Sequence, residues 1–535
     1  MKRLAVFFLL VISFCPAFAD EGQHHEEMTA EQLGTVHFPV PCAAAVQQNF
    51  TSGVALLHSF WYEEAEKTFE HVAEDDPRCA MAHWGVAMSL WHELWNHPNN
   101  AVIARGMAEA RKARSLHPKT NREKGYVLAI EAFYGGPASR DYQDRASAYS
   151  QAMGKIYHRH PEDHEGAAFY ALSLLASEPE NDGTSNRKQA AAILEKLFAE
   201  EPEHPGVAHY LIHTYDTPQM AALGLPAARR YAKIAPAAPH ALHMPSHIFA
   251  RLGLWQDDID SNLASIAASR RSGAMHMGGE SHEFHAMDYL VYAYLQSGRE
   301  AEAERIIEEI KAMPPMQDMY GEGFDPRFRA LTIFSARCAL ELHHWSEAAV
   351  LEPVPGASLG DSSTTYWARA IGFARSGRPA EARKELAEIE AIHKKLVEQH
   401  KTWQADAAEQ DSQEAGAWIA HAESDNDAAI KALRSVAEKQ ESAGSEPDGA
   451  IPAREMLADL LLEMRRPEQA LAEYEADLKF HPNRFNGLYG AATAAELAGK
   501  NQQATSYYAQ LVKICAGSAS DRPELSRAKA LLAEK

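Results

Sequence analysis

A period of 34 residues runs through this 535-residue chain. Pro205 recurs as Pro239, and His209 recurs as His243, each 34 positions later. No segment shows the alternation of polar and apolar residues that is typical of strands. Periods of roughly 20 to 50 residues are typical of arrays in which each unit is one supersecondary element. Because a single helix pair cannot bury its apolar face, the sequence predicts an array of stacked helix pairs.

One unit is complete between residues 46 and 79, which read VQQNFTSGVALLHSFWYEEAEKTFEHVAEDDPRC. Gly53 and Ala65 stand at positions where helix axes approach closely, Phe69 stands in the core, and Pro77 follows the end of the second helix. The same offsets recur near the C-terminus at Ala470, Tyr474, Pro482, Ala504 and Tyr508. This pattern resembles the tetratricopeptide repeat (TPR) consensus. The resemblance implies an all-α, right-handed α-solenoid of roughly ten to twelve TPR-like helix pairs. Such scaffolds normally hold a peptide or a partner protein in their concave groove.

The first nineteen residues have the pattern of an export signal. Lys2 and Arg3 precede an apolar run, and the small residues of the segment 17–19 indicate cleavage after Ala19. The sequence therefore predicts a periplasmic or secreted protein, and no later stretch has the length and apolarity of a membrane span. The formal charge of −22 becomes −24 when Lys2 and Arg3 are removed, which argues against nucleic-acid binding.

The periodicity divides the chain into seven predicted parts. They are a signal peptide (1–19), an acidic and disordered leader (20–45), N-terminal TPR-like repeats (46–204), central His-rich repeats (205–312), irregular repeats (313–440), C-terminal repeats (449–520) and a capping helix (521–535).

Histidines are concentrated on one predicted face of the central repeats. In TPR proteins the concave surface is lined by four positions of each first helix, and the 34-residue register places histidines on many of them. The predicted groove-binding residues are His209, His213, Asp216, His240, His243, His247, His285, Asp288, Tyr292, Trp84 and Trp91. For the two tryptophans burial in the core is the favoured interpretation, because an apolar stripe on a helix is more often core than binding surface.

The first functional hypothesis is a non-enzymatic scaffold that binds a peptide or protein in this groove, and no residue is assigned a catalytic role. The alternative is a metal-binding protein or metal-dependent enzyme. The i, i+4 pairs His209 with His213 and His243 with His247 each lie on one helical face and could converge on one zinc or copper ion. Thioethers nearby, in Met244, Met275 and Met277, would favour copper. A third possibility is pH-dependent binding through titrating histidines.

Two smaller features bear on these hypotheses. Cys42 and Cys79 are the candidates for a disulfide that ties the leader to the first repeats in an oxidising compartment. Asp258 and Asn262 occupy positions that usually carry apolar residues. Because buried polar groups need partners, either one of them supports the histidine helices or the repeat register slips there.

Overall fold

The computed structural model describes residues 28–95, 97–137, 139–179, 185–275, 277, 281–316, 325–443 and 451–533. The predicted signal peptide and the leader before residue 28 lie outside these residues. In the described part every regular element is a helix, and no helix there is long and apolar enough to cross a bilayer. The helices are α1 (Ala30–Leu33), a short 3-10 helix (Ala44–Val46), α2 (Gln47–His58), α3 (Tyr62–Asp75), α4 (Ala80–Ser89), α5 (Asn100–Ser115), α6 (Asn121–Tyr134), α7 (Tyr142–Arg159), α8 (His164–Ala176), α9 (Ser185–Glu200), α10 (Pro205–Tyr215), α11 (Ala221–Ile234), α12 (Pro239–His243), α13 (Pro245–Arg251), α14 (Trp255–Ala274), α15 (Ser281–Gln296), α16 (Glu300–Ala312), α17 (Pro326–Glu341), α18 (Trp345–Ala348), α19 (Leu359–Arg375), α20 (Pro379–Glu398), α21 (Thr402–Ala422), α22 (Asn426–Ala443), α23 (Ala453–Glu463), α24 (Pro467–Phe480), α25 (Phe485–Leu497), α26 (Asn501–Ile514) and α27 (Pro523–Ala533).

Successive helices pack in antiparallel pairs, from α2 with α3 to α25 with α26, and α27 packs on the last pair. The described residues form twelve such pairs, so the predicted all-α solenoid of TPR-like pairs is confirmed. The small residues of the repeat have the expected role. A Cβ atom on Gly53 would lie 2.9 Å from the Phe69 ring, and one on Gly85 would lie 2.3 Å from it. The ring of α3 therefore packs directly on the backbones of α2 and α4.

The first helix of the sixth pair is broken. Proline lacks a backbone N–H and its ring clashes with the preceding turn, so Pro245 ends α12 at His243 and begins α13. The break lies between His243 and His247, which are thus carried by two short helices rather than one.

Residues 28–45 of the predicted leader pack on the repeats, although the composition of 20–45 predicts disorder. Val36 and Phe38 are buried, and the Phe38 ring contacts Phe50 and Trp84 at centroid distances of 5.5 and 5.4 Å. Hydrophobic burial outweighs the acidic composition here, because the short apolar run of the leader fits among the first helix pairs. A disulfide joins Cys42 to Cys79, as the sequence suggested.

The array is curved, so that repeats distant in the sequence are in contact. Helix α2 packs on α10, and α15 packs on α25. The indole N–H of Trp255 donates to the carbonyl of Asn483 at 2.8 Å, and the guanidinium of Arg484 donates to the Tyr292 hydroxyl at 3.1 Å. Much of the surface that would be concave in an open solenoid is therefore covered by the chain itself.

Candidate metal centre

Four helices bring six histidines together. Helix α10 carries His209 and His213, α12 carries His240 and His243, α13 carries His247, and α15 carries His285. These residues form two groups, which we call set A (His209, His213 and His240) and set B (His243, His247 and His285). In each set one ring nitrogen from every histidine lies within 4.8 Å of the other two.

The spacing within the sets is that of a chelate. The Nε2 atom of His209 lies 3.0 Å from Nε2 of His213 and 3.1 Å from Nε2 of His240. In set B the Nε2 atoms of His243 and His247 are 3.0 Å apart. Two imidazole nitrogens on one tetrahedral zinc ion, with bonds of about 2.0 Å, are separated by about 3.3 Å. The nitrogen pairs are therefore close to metal-binding geometry.

Hydrogen bonds around set B determine where its protons are. The amide N–H₂ of Asn262 donates to the carboxylate of Asp258 at 2.7 Å and to its carbonyl at 3.0 Å, so the amide oxygen of Asn262 faces His243. Nδ1 of His243 lies 2.7 Å from that oxygen and must carry the proton. Nδ1 of His247 likewise donates to Asp216 at 2.8 Å, and Asp216 also accepts from Arg251 at 2.9 Å.

Nε2 of His243 therefore presents a lone pair to Nε2 of His247 across 3.0 Å. Either a proton on Nε2 of His247 or a metal ion between the two nitrogens would satisfy this lone pair. Burial, reinforced by His285, lowers the pKa of His243 well below its ordinary value, which keeps this ring neutral and able to ligate. An outward hydrogen bond from Nδ1 to a carboxylate or amide oxygen is the usual support of a metal-ligating histidine.

Set A has one such support. Nδ1 of His209 donates to the backbone carbonyl of His58 at 2.7 Å, which leaves its Nε2 free to accept or to ligate. Burial lowers the pKa of His209 to about 3, so this ring is neutral at neutral pH. The buried Nδ1 of His240 has no hydrogen-bond partner among the described residues. The Phe60 ring covers the set, with its centroid 4.3 Å from the ring of His209.

A third group with ligand spacing, formed by His58, Glu165 and His204, has the opposite pattern. Nδ1 of His204 accepts from the backbone N–H of Val207 at 3.2 Å, so Nε2 of His204 carries a proton and donates to Glu165 at 3.1 Å. Nε2 of His58 lies 2.7 Å from the same carboxylate. Glu165 is therefore satisfied by hydrogen bonds, and this group fixes α2, α8 and α10 to one another rather than presenting lone pairs to an ion.

The structure places the four predicted metal ligands in two separate groups rather than one. His209, His213, His243 and His247 were expected to converge on one ion, but each i, i+4 pair is completed by a third histidine of its own set. The reason is the break at Pro245 together with the arrival of α15, which brings His285 to the second pair.

The other predicted groove residues have different roles. Asp216 supports His247, whereas Asp288 pairs with Arg337 at 2.6 Å. Tyr292 receives the hydrogen bond of Arg484 described above. The groove interpretation of Trp84 and Trp91 is wrong, because both side chains are fully buried in the hydrophobic core. Of the three methionines, Met244 is buried in the core, Met277 is partly buried against it and Met275 is exposed.

Sequence reasoning identified some of the support and missed the rest. Asn262 was expected to support the histidine helices or to mark a slip in register, and it holds His243. The contributions of His58 and Phe60 were missed because they come from the end of α2 and the turn after it, four repeats earlier in the chain. His282, whose ring lies 5.0 Å from that of His240, was also missed because it falls outside the repeat register.

Access to the sets is uneven. His209, His240 and His243 are no more than 1% exposed, whereas His213 is half-buried and His285 is exposed. Each set thus has one histidine near the surface.

No protein-family model matches the sequence, and no curated protein is significantly similar to it. Among solved structures, a human IFIT1 dimer with m7Gppp-AAAA aligns at 14% identity and a TM-score of 0.33, covering 82% of this chain and 90% of that one. The TPR domain of P58(IPK) aligns at 14% identity and a TM-score of 0.21, covering 70% of this chain and 99% of that one. At such values the matches carry no information about ligands. The helix pairs and their packing identify the fold itself as an α-solenoid of TPR-like repeats.

Proposed function

We propose that this chain is an exported transition-metal-binding protein whose ions are held by sets A and B. The observation that carries the proposal is the pair of Nε2 atoms of His243 and His247. They lie 3.0 Å apart, and both Nδ1 atoms are committed to hydrogen bonds on the outer side. A cation ligated by both Nε2 atoms would use the support that Asn262 and Asp216 give to the two rings.

The ligand type points to zinc or copper. Imidazole suits zinc, copper, iron and nickel, whereas magnesium and calcium prefer oxygen ligands. Three protein ligands for each ion leave a coordination position for water or substrate, which is the arrangement of catalytic rather than structural zinc sites. The proposal therefore includes exchange of a ligand at the ion.

Export is the second part of the proposal. The predicted signal peptide at residues 1–19 motivates it. The disulfide between Cys42 and Cys79 supports it, because disulfides persist in oxidising compartments.

A peptide lying along the histidine face, the first hypothesis from the sequence, is the less favoured function. His209, His240 and His243 are buried beneath Phe60 and the neighbouring helices. An extended peptide has no surface to contact at these side chains.

The test is to purify the mature protein without a His-tag from a periplasm and to measure bound transition metals by elemental mass spectrometry. We expect zinc or copper in the wild type and a clear loss in His243→Gln. His83→Gln is the matched control, since His83 lies on α4 and pairs with Glu109 at 2.7 Å, away from both sets. A wild-type protein that is metal-free and takes up neither added zinc nor added copper would overturn the proposal.

A further inference from the structure

Sets A and B lie side by side in the fold. The ring of His213 in set A is 6.2 Å from that of His247 in set B, and the rings of His240 and His243 are 6.1 Å apart. These centroid distances are little longer than those within the sets, which are 4.8 Å for His209 with His213 and 5.0 Å for His243 with His247. Ions bound in both sets would therefore be close neighbours.

The covalent connections favour this arrangement. His240 and His243 lie on the same five-residue helix, α12, and each belongs to a different set. Helix α12 thus supplies one ligand to each ion and fixes the separation of the sets. In proteins with two-metal sites, neighbouring ions act together on one substrate or nucleophile.

The charge of the centre indicates what else it binds. All six histidines contribute neutral imidazole ligands, so two divalent ions would place a charge of about +4 in a largely buried site. Nearby Asp216 is already paired with Arg251 at 2.9 Å, and Asp258 lies behind Asn262. Buried charge is costly unless it is compensated. Asp216 therefore offsets only part of this charge, and an anion at the open coordination positions would offset more of it.

We propose that sets A and B form one two-metal centre that binds a small anion, such as hydroxide, a carboxylate or an oxyanion, at the open positions of both ions. This inference rests on the proposed metal-binding function. The anion enters on the side of His213 and His285, the more exposed histidine of each set.

The test uses the full mature chain, stripped of metal and loaded with Cu²⁺, with azide as the anion probe. Elemental analysis counts the copper, electron paramagnetic resonance counts uncoupled spins, and the azide-to-copper absorption band reports anion binding. We expect two copper ions per chain, a spin count at least twofold below the copper count, and one azide per chain.

One variant for each set makes the result specific. His213→Gln and His285→Gln change the more exposed histidine of each set. Each folded variant should bind one copper ion per chain with a full spin count. Each should also weaken azide binding at least tenfold. His83→Gln should match the wild type.

The outcomes separate the two proposals. A single copper ion at saturation, or two ions with a full spin count, would overturn the two-metal centre and leave the metal-binding function standing. Two coupled ions that bind azide no better than the one-ion variants would overturn the anion site. A chain that binds no copper or zinc would overturn both proposals.

Discussion

Replacing Asn262 by leucine separates metal binding from folding at set B. In the wild type the amide oxygen of Asn262 holds the proton of His243 on Nδ1 and leaves Nε2 as a lone pair. In Asn262→Leu this acceptor is lost, and His243 is free to move its proton to Nε2. That proton can then be donated to Nε2 of His247 at 3.0 Å. The metal-free variant thus gains the hydrogen bond that the metal must displace.

The magnitude follows from this exchange. A net hydrogen bond is worth about 1 kcal/mol, and loss of an outer hydrogen-bond partner of a ligand typically lowers metal affinity by about 10- to 100-fold. We expect zinc affinity at set B to fall within that range, which corresponds to about 1.4 to 2.8 kcal/mol. Asp258 also loses one of its donors, so the melting temperature should fall by a few degrees.

The assay is competition for zinc against a chelator, together with thermal unfolding of the metal-free protein. Asn486→Leu is the matched control, because Asn486 is also buried but bonds to Glu341 and Arg522, far from the histidines. It should lower stability and leave zinc affinity unchanged. A folded Asn262→Leu protein with zinc affinity within about twofold of the wild type would refute the tautomer argument, since the loss should be at least tenfold.

Three further predictions concern stability. Burial, followed by repulsion from Asp411, raises the pKa of Glu414 to about 8. Between about pH 4.5 and pH 8 the folded state therefore binds more protons at this group than the unfolded state, and the free energy of unfolding falls as pH rises. Glu414→Gln should flatten that decline when unfolding by urea is compared at pH 5 and pH 8, and an unchanged slope would contradict the assignment. The disulfide joins cysteines 37 positions apart. Cys42→Ser should therefore lower the unfolding free energy by roughly 4 kcal/mol in denaturant titrations. A loss below about 1 kcal/mol would show that the disulfide does not hold the leader in place. Arg484 is 1% exposed and pairs with two buried carboxylates, those of Glu341 and Glu455. Arg484→Met should lower the unfolding free energy by about 3 to 5 kcal/mol in the same titrations. A stability within about 1 kcal/mol of the wild type would show that the two carboxylates do not depend on Arg484.

The repeat was predictable because its signal is local and periodic. Gly53, Ala65 and Phe69 report contacts between helices that follow one another in the chain, and these contacts recur in the structure. The histidine register at His209 and His243 was visible for the same reason, since equivalent positions of neighbouring repeats lie side by side.

Contacts between repeats that are distant in the sequence could not be predicted in this way. The carbonyl of His58 meets His209 across 151 positions, and nothing in the sequence of α2 marks that carbonyl as an acceptor for a ligand. The burial of Trp84 agrees with the core interpretation of its apolar stripe, but its contact with Phe38 was not predictable, because the composition of the leader indicates disorder. Completion of set B required the position of α15, which carries His285, and completion of set A required the position of His240 on α12.

The contacts between distant repeats change how this solenoid should unfold. In an open array each repeat touches only its neighbours, so the ends can fray while the middle remains folded. Here Trp255 donates to the carbonyl of Asn483 across 228 positions, and Phe485 donates through its backbone N–H to Gln296 at 2.9 Å. Loss of the C-terminal repeats would expose the helices that carry set B. The two halves should therefore melt in one cooperative transition, and integrity of the metal centre should report on the far end of the chain.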